Sequence, residues 1–155
     1  MVAIMNEALG LRIGNRVLEV GAGSGYHAAT LAEQIGPQGH VYTVELVPHL
    51  VMVARSNLEK AGYSDRVTLV EGDGSLGYPD QAPYDRIVVT AAAPKIPQAL
   101  VAQLRPGSVL VIPVGGRLFP QELTKVRKDG NGRIVRTSLG GVAFVPLIGK
   151  EGFDS

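Results

Sequence analysis

The stretch VLEVGAGSGY, residues 17–26, joins a short apolar run to three glycines spaced two residues apart, and a helical pattern over residues 26–35 follows at once. That order predicts a strand, a tight turn and a helix. Glycine suits such a turn because it tolerates positive φ and, having no Cβ, lets a ligand approach the backbone. Since the first N–H groups of a helix are unpaired, the turn predicts a site for a nucleotide-like ligand.

Two carboxylates accompany this turn. Glu19 lies inside the strand, where an acid is unexpected unless it meets a polar or cationic group, and Glu45 ends a second apolar run. An acid at the tip of the second strand is well placed to accept the hydroxyls of a ribose. The turn reads Gly-Ala-Gly-Ser-Gly and differs from the Gly-x-Gly-x-x-Gly that binds a pyrophosphate. A nucleoside that carries a cationic amino acid fits better, and S-adenosylmethionine is such a molecule.

Length and composition predict one globular domain over residues 1–155, because a chain of this size with 45% hydrophobic residues can form a single core. The chain has no cysteine, which excludes disulfides and cysteine nucleophiles. No apolar run approaches the roughly 20 residues of a membrane helix, so we expect a cytoplasmic protein with no membrane partner. The basic residues around 125–136 flank a turn and predict a solvated hairpin, with no nucleic-acid partner.

Alternating apolar runs and helical patterns predict a doubly wound α/β fold, with a mostly parallel sheet and an antiparallel C-terminal end. A hairpin is expected over residues 122–128 and 133–138, and residues 142–148 are expected to close the sheet as a last buried strand. The other predicted strands are 16–20, 40–46, 67–71, 84–90 and 109–114, and the predicted helices are 1–9, 26–35, 48–62 and 97–104.

Unusual residues collect at the predicted carboxyl ends of the strands, where open α/β sheets bind their ligands. Asp73 lies between two glycines and could accept a hydrogen bond from an adenine amino group, or it could bind its own backbone as a turn residue. The small residues 90–92 open a loop after the fourth strand. Asp85 lies at the entrance of that strand, away from the crevice, and is expected to be structural.

The polar residues form no recognisable catalytic set. His27, His40 and His49 are far apart and lack ligand spacing, so we expect them to face solvent or cap helices, and we expect no metal. No nucleophile, base and orienting group occur together. This pattern favours methyl transfer to a carboxylate, which is already ionised at neutral pH and needs alignment and water exclusion more than proton transfer.

Seven stretches of the chain carry a family resemblance when they are taken together. They are MVAIM (1–5), LEVGAGSGY (18–26), EGDG (71–74), APYD (82–85), TAAAP (90–94), VIPVG (111–115) and GVAFVPL (141–147). Together they resemble the protein-L-isoaspartate (D-aspartate) O-methyltransferase family. The glycine turn is shared by most Rossmann-like methyltransferases, whereas TAAAP and VAFVPL are more particular to this family.

The resemblance implies a Rossmann-like methyltransferase sheet and methyl transfer from S-adenosylmethionine to L-isoaspartyl carboxylates of damaged proteins, with S-adenosylhomocysteine as product. It implies a cofactor site formed by Glu19, Gly21, Ala22, Gly23, Gly25, Tyr26, Glu45, Leu46, Gly72, Asp73, Gly74 and Thr90. For the peptide substrate it implies Ala91, Ala92, Val145, Pro146 and Leu147.

One departure from the family concerns the start of the chain. Family members carry several dozen residues ahead of the MVAIM match, including a stretch like Ile-Ser-x-Pro-His whose serine lies beside the methyl acceptor. We therefore expect a domain that is N-terminally truncated relative to the family, and we assign no catalytic residue within it. Apolar surface that the preceding segment would cover is expected to favour self-association.

Three other functions compete with this interpretation. The domain could methylate a small molecule or RNA, although the VPL stretch argues against it. It could bind the cofactor without turnover, which the absent leading segment makes plausible. Nicotinamide-dependent reduction is disfavoured by the spacing of the glycines and by the acid at position 19.

Overall fold

A computed structural model describes residues 1–118 and 120–155, which form seven strands and four α-helices. The helices are α1 (Val2–Leu9), α2 (Tyr26–Ile35), α3 (Pro48–Ala61) and α4 (Gln98–Gln103). The strands are β1 (Arg16–Val20), β2 (His40–Glu45), β3 (Val67–Glu71), β4 (Tyr84–Val89), β5 (Leu104–Gly115), β6 (Gln121–Lys128) and β7 (Ile134–Val142).

One sheet of order β3-β2-β1-β4-β5-β6-β7 contains all the strands of the described residues. β1 pairs in parallel with β2 and β4, and β3 and β5 extend the sheet in parallel. β6 and β7 add antiparallel pairs at the end. The predicted fold, doubly wound and mostly parallel with an antiparallel C-terminal end, is confirmed. Because the chain moves outward from β1 to β3 and then returns to β4, its binding crevice is expected between β1 and β4.

Alternating residues of the central strands fill one apolar layer on each face of the sheet. Leu18 and Ile87 belong to the layer under α4, whereas Val17 and Val88 belong to the layer under α1 and α2. Because helices cover both faces, β1 and β4 are apolar beyond their amino ends, where Arg16, Asp85 and Arg86 lie. Glu19 of β1 is the exception in this apolar part, and it is fully buried.

Glycine and proline set the helix boundaries. α2 occupies the predicted residues between Gly25 and Gly36, and α3 begins at Pro48 and ends before Gly62, which has a φ of 82°. Proline is tolerated at a first helical position because that N–H is unpaired in any helix. The longest described helix, α3, has 14 residues, so none of the described helices could span a bilayer.

Two predicted boundaries in the C-terminal half are wrong. β5 begins at Leu104 rather than at residue 109, because Leu104 already pairs with Tyr84 and an irregular register follows before Val109 pairs with Arg86. The expected last strand over residues 142–148 does not form, since β7 already ends at Val142. The segment 143–148 instead makes two isolated parallel bridges, one between Pro146 and Ala92 and one between Ile148 and Phe153.

Candidate functional site

A cavity of about 240 Å³ opens above the carboxyl ends of β1, β2 and β4, beside the glycine turn. It brings together ten predicted site residues, namely Gly21, Gly23, Glu45, Leu46, Gly74, Thr90, Ala91, Val145, Pro146 and Leu147. It is also lined by apolar residues that the sequence did not single out, namely Val20, Val44, Val47, Leu50 and Ile148.

The glycine turn between β1 and α2 is fixed from both sides. Gly21 has a φ of 97°, and a Cβ at this position would collide with the hydroxyl of Thr90, the residue after β4. That hydroxyl lies 2.8 Å from the Gly21 carbonyl oxygen, to which it donates. The Gly21 N–H donates to the Val44 carbonyl on β2 at 2.8 Å. Only glycine provides both the backbone conformation and the close approach that this turn requires.

Glu45 ends β2 with its carboxylate at the wall of the cavity. Its Oε1 accepts the N–H of Gly23 at 2.9 Å, and its Oε2 accepts the N–H of Val47 at 3.1 Å. A carboxylate oxygen has more than one acceptor position, so both oxygens retain capacity for a further donor. Glu45 therefore fixes the glycine turn and can also accept hydrogen bonds from a ligand.

Glu19 lies beneath the turn and does not line the cavity. Its Oε1 accepts the hydroxyl of Thr43 at 2.6 Å, while Oε2 is the buried side-chain oxygen without a hydrogen-bond partner in the described residues. Burial raises the pKa of the Glu19 carboxyl to about 8; the Thr43 hydrogen bond opposes this, and the charge of Glu45 adds to it. An unpaired buried oxygen is costly, so it marks a position where a partner is expected.

Asp73 lies next to the cavity but directs its carboxylate toward the C-terminal loop. Oδ1 accepts the N–H and the hydroxyl of Ser75, at 2.9 and 2.7 Å, and Oδ2 accepts the N–H of Lys150 at 2.8 Å. These contacts with Ser75 are those of a turn residue, which is the alternative role predicted for Asp73. Of the three predicted residues in this turn, Gly74 lines the cavity, whereas Gly72 and Asp73 do not.

The segment 143–148 forms the opposite wall. The Ala92 N–H donates to the Val145 carbonyl, and the Leu147 N–H donates to the Ala92 carbonyl, both at 2.8 Å. Ala92 itself is buried behind this wall, whereas Val145 is 71% exposed. The predicted substrate residues from two distant parts of the chain are therefore adjacent.

The remaining predicted residues support the turn without lining the cavity. Ala22 is buried, Tyr26 is 67% exposed on α2, and Gly25 packs against α3. A Cβ on Gly25 would lie 3.2 Å from Leu58 and 3.3 Å from the Ala54 carbonyl oxygen. Gly25 therefore allows close packing between helices, in addition to its φ of 89°.

The prediction for the histidines is wrong for His27. This residue is buried: its Nε2 lies 2.7 Å from Asn6 Oδ1, and its Nδ1 lies 3.5 Å from Glu19 Oε2. His40 is half-buried at the other end of the sheet and contacts Thr68, and His49 is exposed as expected. A buried acid two residues before the turn and a histidine two residues after it could have indicated the contact. Within the described ranges, no three His, Asp or Glu side chains converge as metal ligands would.

A sheet that reverses its order at a glycine turn, with an acid at the tip of the next strand, is a Rossmann-like nucleotide-binding arrangement. The solved structures that the chain resembles place it in the class of S-adenosylmethionine-dependent methyltransferases. The model of one family, described as protein-L-isoaspartate(D-aspartate) O-methyltransferase, matches residues 1–152. The chain belongs to this protein-L-isoaspartate (D-aspartate) O-methyltransferase family.

Individual relatives agree with this assignment. A protein-L-isoaspartate O-methyltransferase from Methanopyrus kandleri is 58% identical over 99% of this chain and 68% of its own length. A solved protein-L-isoaspartate O-methyltransferase is 32% identical with a TM-score of 0.86, covering 97% of this chain and 47% of that one. The structure of a putative protein-L-isoaspartate O-methyltransferase from Plasmodium falciparum in complex with S-adenosyl-L-homocysteine shares the fold, at 24% identity and a TM-score of 0.79, covering 95% of this chain and 71% of that one. The chain thus spans about two thirds of the Methanopyrus relative and about half of the first solved structure.

Proposed function

We propose that this domain binds S-adenosylmethionine and transfers its methyl group to the carboxylate of L-isoaspartyl residues in damaged proteins. The observation that carries the proposal is the meeting of three elements at one cavity: the glycine turn, the Glu45 carboxylate and the Val145–Leu147 segment. The first two suit an adenosyl ligand, and the third suits a polypeptide.

The residues around the cavity fit the cofactor. Glu45 would accept the ribose hydroxyls, and the turn at Gly21 and Gly23 would lie against the methionine part, with the unpaired Oε2 of Glu19 beneath it. Gly74 would lie along the adenine, whose ring fits the apolar walls. Asp73 Oδ2 accepts the Lys150 N–H and retains capacity for a further donor such as the adenine amino group.

The chemistry of this site requires alignment and a dry environment. When bound, the cofactor supplies a methyl group on a positively charged sulfur, which is open to in-line displacement. A carboxylate acceptor needs no base, because its pKa near 4 leaves it ionised at neutral pH. Apolar side chains such as Val20, Val44 and Leu147 would exclude water from the acceptor and from the sulfonium.

Backbone groups of the segment 143–148 would hold the peptide. Because the Val145 carbonyl and the Leu147 N–H both face Ala92, the Pro146 carbonyl between them lies on the other side of the extended chain. That carbonyl is available to accept a peptide N–H. Recognition through backbone suits an enzyme whose substrates share one damaged residue and differ in their surrounding sequence.

Titration calorimetry with S-adenosylmethionine, followed by methyl transfer to a matched pair of isoaspartyl and aspartyl peptides, tests the proposal. Glu45→Gln should weaken cofactor binding roughly tenfold, since it keeps an oxygen for Gly23 and loses the charge. Glu71→Gln is the matched control, because Glu71 ends the neighbouring strand and is exposed outside the cavity. Equal affinities of the two variants would contradict the assignment of Glu45.

The same measurements separate the alternatives. Cofactor binding without transfer to either peptide would favour a binding domain that does not turn over, and transfer to both peptides alike would favour another substrate. We also propose that residues 1–155 act as one domain. Self-association remains a prediction, which light scattering of the purified protein at high concentration tests.

A further inference from the structure

A buried polar network lies directly under the glycine turn and links four elements. It contains Asn6 on α1, Glu19 on β1, His27 and Thr30 on α2, and Thr43 on β2. Thr43 donates to Glu19 Oε1 at 2.6 Å, and His27 Nδ1 lies 3.5 Å from Oε2. Glu19 is fully buried, and Asn6 and His27 are nearly so. None of these contacts is used by the proposed methyl transfer.

The hydrogen bonds determine which nitrogen of His27 carries the proton. The Thr30 hydroxyl donates to the His27 carbonyl at 2.7 Å, so it can only accept from Asn6 Nδ2, at 3.2 Å. The Asn6 amide is thereby oriented with Oδ1 toward His27 Nε2, at 2.7 Å. Because Oδ1 only accepts, Nε2 carries the hydrogen. In neutral His27 the other nitrogen, Nδ1, therefore presents a lone pair to Glu19 Oε2.

A lone pair facing an ionised carboxylate would be repulsive at this buried position. One proton between Nδ1 and Oε2 removes the repulsion and gives Oε2 the partner that it otherwise lacks. We infer that Glu19 and His27 share one buried proton in the cofactor-free domain, that a cationic cofactor bound at the glycine turn expels it, and that His27 is thus a positioning residue. This inference rests on the proposed function for the identity of the cation.

The surroundings place the shared proton on Glu19. Burial raises the pKa of Glu19 to about 8, with Thr43 opposing this and the charge of Glu45 adding to it. Burial also lowers the pKa of His27 to about 4. At neutral pH the pair is then a carboxylic acid donating to a neutral imidazole. A positive ligand next to the turn favours the ionised form of Glu19, so the O–H bond breaks and the proton goes to solvent.

Calorimetry of S-adenosylmethionine binding at pH 6.5, in two buffers of different ionisation enthalpy, counts the protons exchanged. At this pH the amino group of the cofactor is already protonated and contributes little. We expect release of about one proton per cofactor bound, and affinity that rises up to roughly tenfold per pH unit between pH 6 and 7.5. Binding without proton release would overturn the inference and leave the proposed function intact, whereas absence of binding would count against the proposed function itself.

Two variants and a control identify the side chains that hold the shared proton. Glu19→Gln cannot ionise, so it should bind without proton release and with an affinity independent of pH. His27→Gln retains an amide for Asn6 and removes the acceptor from Glu19, which should move the midpoint of the affinity–pH curve to lower pH. His40→Gln is the matched control, since His40 is half-buried at the other end of the sheet, and it should behave as wild type.

The free protein offers a readout that is independent of cofactor binding. Carbon NMR of side-chain carboxyls, assigned by comparison with Glu19→Gln, should show a Glu19 that is protonated at pH 6.5. An ionised Glu19 at that pH would overturn the inference, and so would a midpoint that His27→Gln and His40→Gln shift alike.

Discussion

The hydrogen bonding of polar groups differs between the amino and carboxyl ends of the parallel strands. At the amino end, Asp85 accepts the Arg16 N–H at 2.8 Å and pairs with Arg105 at 2.7 Å, and Arg86 donates to the Leu9 carbonyl at 2.6 Å. At the carboxyl end, one oxygen of Glu19 is unpaired and glycines leave the backbone uncovered. The amino end thus supports stability, while the carboxyl end keeps groups available for a ligand. The four predictions below test this difference.

The largest effect is expected from Gly21→Ala at the carboxyl end. The new Cβ would collide with the Thr90 hydroxyl, and alanine is strained at a φ of 97°. We expect cofactor affinity to fall at least tenfold, and the free energy of unfolding to fall by about 1–3 kcal/mol. Calorimetry and urea unfolding measure the two quantities.

The matched control for Gly21 is Gly10→Ala at the end of α1. Gly10 also has a positive φ, of 62°, but a Cβ there meets nothing within 4 Å. Gly10→Ala should therefore lower the free energy of unfolding, because of its backbone conformation, without lowering cofactor affinity. If both variants bound the cofactor equally well, the close approach at Gly21 would have no functional meaning.

The next effect is expected from Asp85→Ala at the amino end. Its removal leaves the Arg16 N–H and the Arg105 guanidinium without their acceptor, which should lower the free energy of unfolding by about 1–3 kcal/mol. Cofactor affinity should be unchanged. Urea unfolding measures the change in stability, and Asp80→Ala is the control because Asp80 is exposed. If cofactor affinity changed in Asp85→Ala alone, the amino end would also support binding, which would contradict the proposed difference between the two ends.

A change of pH is expected to have a smaller effect on the free energy of unfolding. Glu19 is protonated up to about pH 8 in the folded state and only up to about 4.5 when unfolded, so the folded state holds the extra proton and stability falls as pH rises between these values. His27 has the opposite effect below 6.5, because its folded pKa is lowered to about 4. The pKa of His40 is also lowered by burial, so it acts in the same direction as His27; both effects fade above about pH 7, and the fall expected from Glu19 is clearest between pH 7 and 8.

Urea unfolding of the cofactor-free protein should therefore show stability falling across pH 7 to 8, by up to about 1.4 kcal/mol per pH unit. Glu19→Gln should be flat over the same window, since it has no proton to lose. An identical slope in both proteins would mean that another group titrates there.

The smallest effect is expected from Val145→Ala. This side chain is 71% exposed, so stability should change by less than about 0.5 kcal/mol. Because the proposed peptide contacts use backbone, KM for an isoaspartyl peptide should stay within about twofold. A much larger rise in KM would show that the side chain, and not the backbone, binds the peptide.

The parts of the structure that local sequence controls were predicted well. The glycine turn, the limits of α2 and the position of Glu45 follow from residues that act on their near neighbours, because glycine, proline and apolar periodicity set local conformation. The path of residues 143–148 could not be predicted in this way. Their apolar character indicates burial in a strand, yet their position depends on a bridge to Ala92, about fifty residues earlier.

The site residues show the same difference between local and long-range control. Glu45 and Gly74 were predicted from strand ends, and the structure places both at the cavity. The contact between His27 and Glu19 depends on how α2 crosses β1 and on Asn6 of α1, so their symmetric spacing around the turn indicates it only when that crossing is known. Apolar lining residues such as Leu50 were missed because they resemble any core position until the cavity is seen.

The anchoring of the glycine turn bears on how tightly a ligand can bind. Thr90 holds the Gly21 carbonyl from the β4 side, and Glu45 holds the Gly23 N–H from the β2 side. The turn therefore loses its conformational entropy when the protein folds and not when a ligand arrives. Such preorganisation lets contacts with the turn contribute to affinity with little loss to ordering.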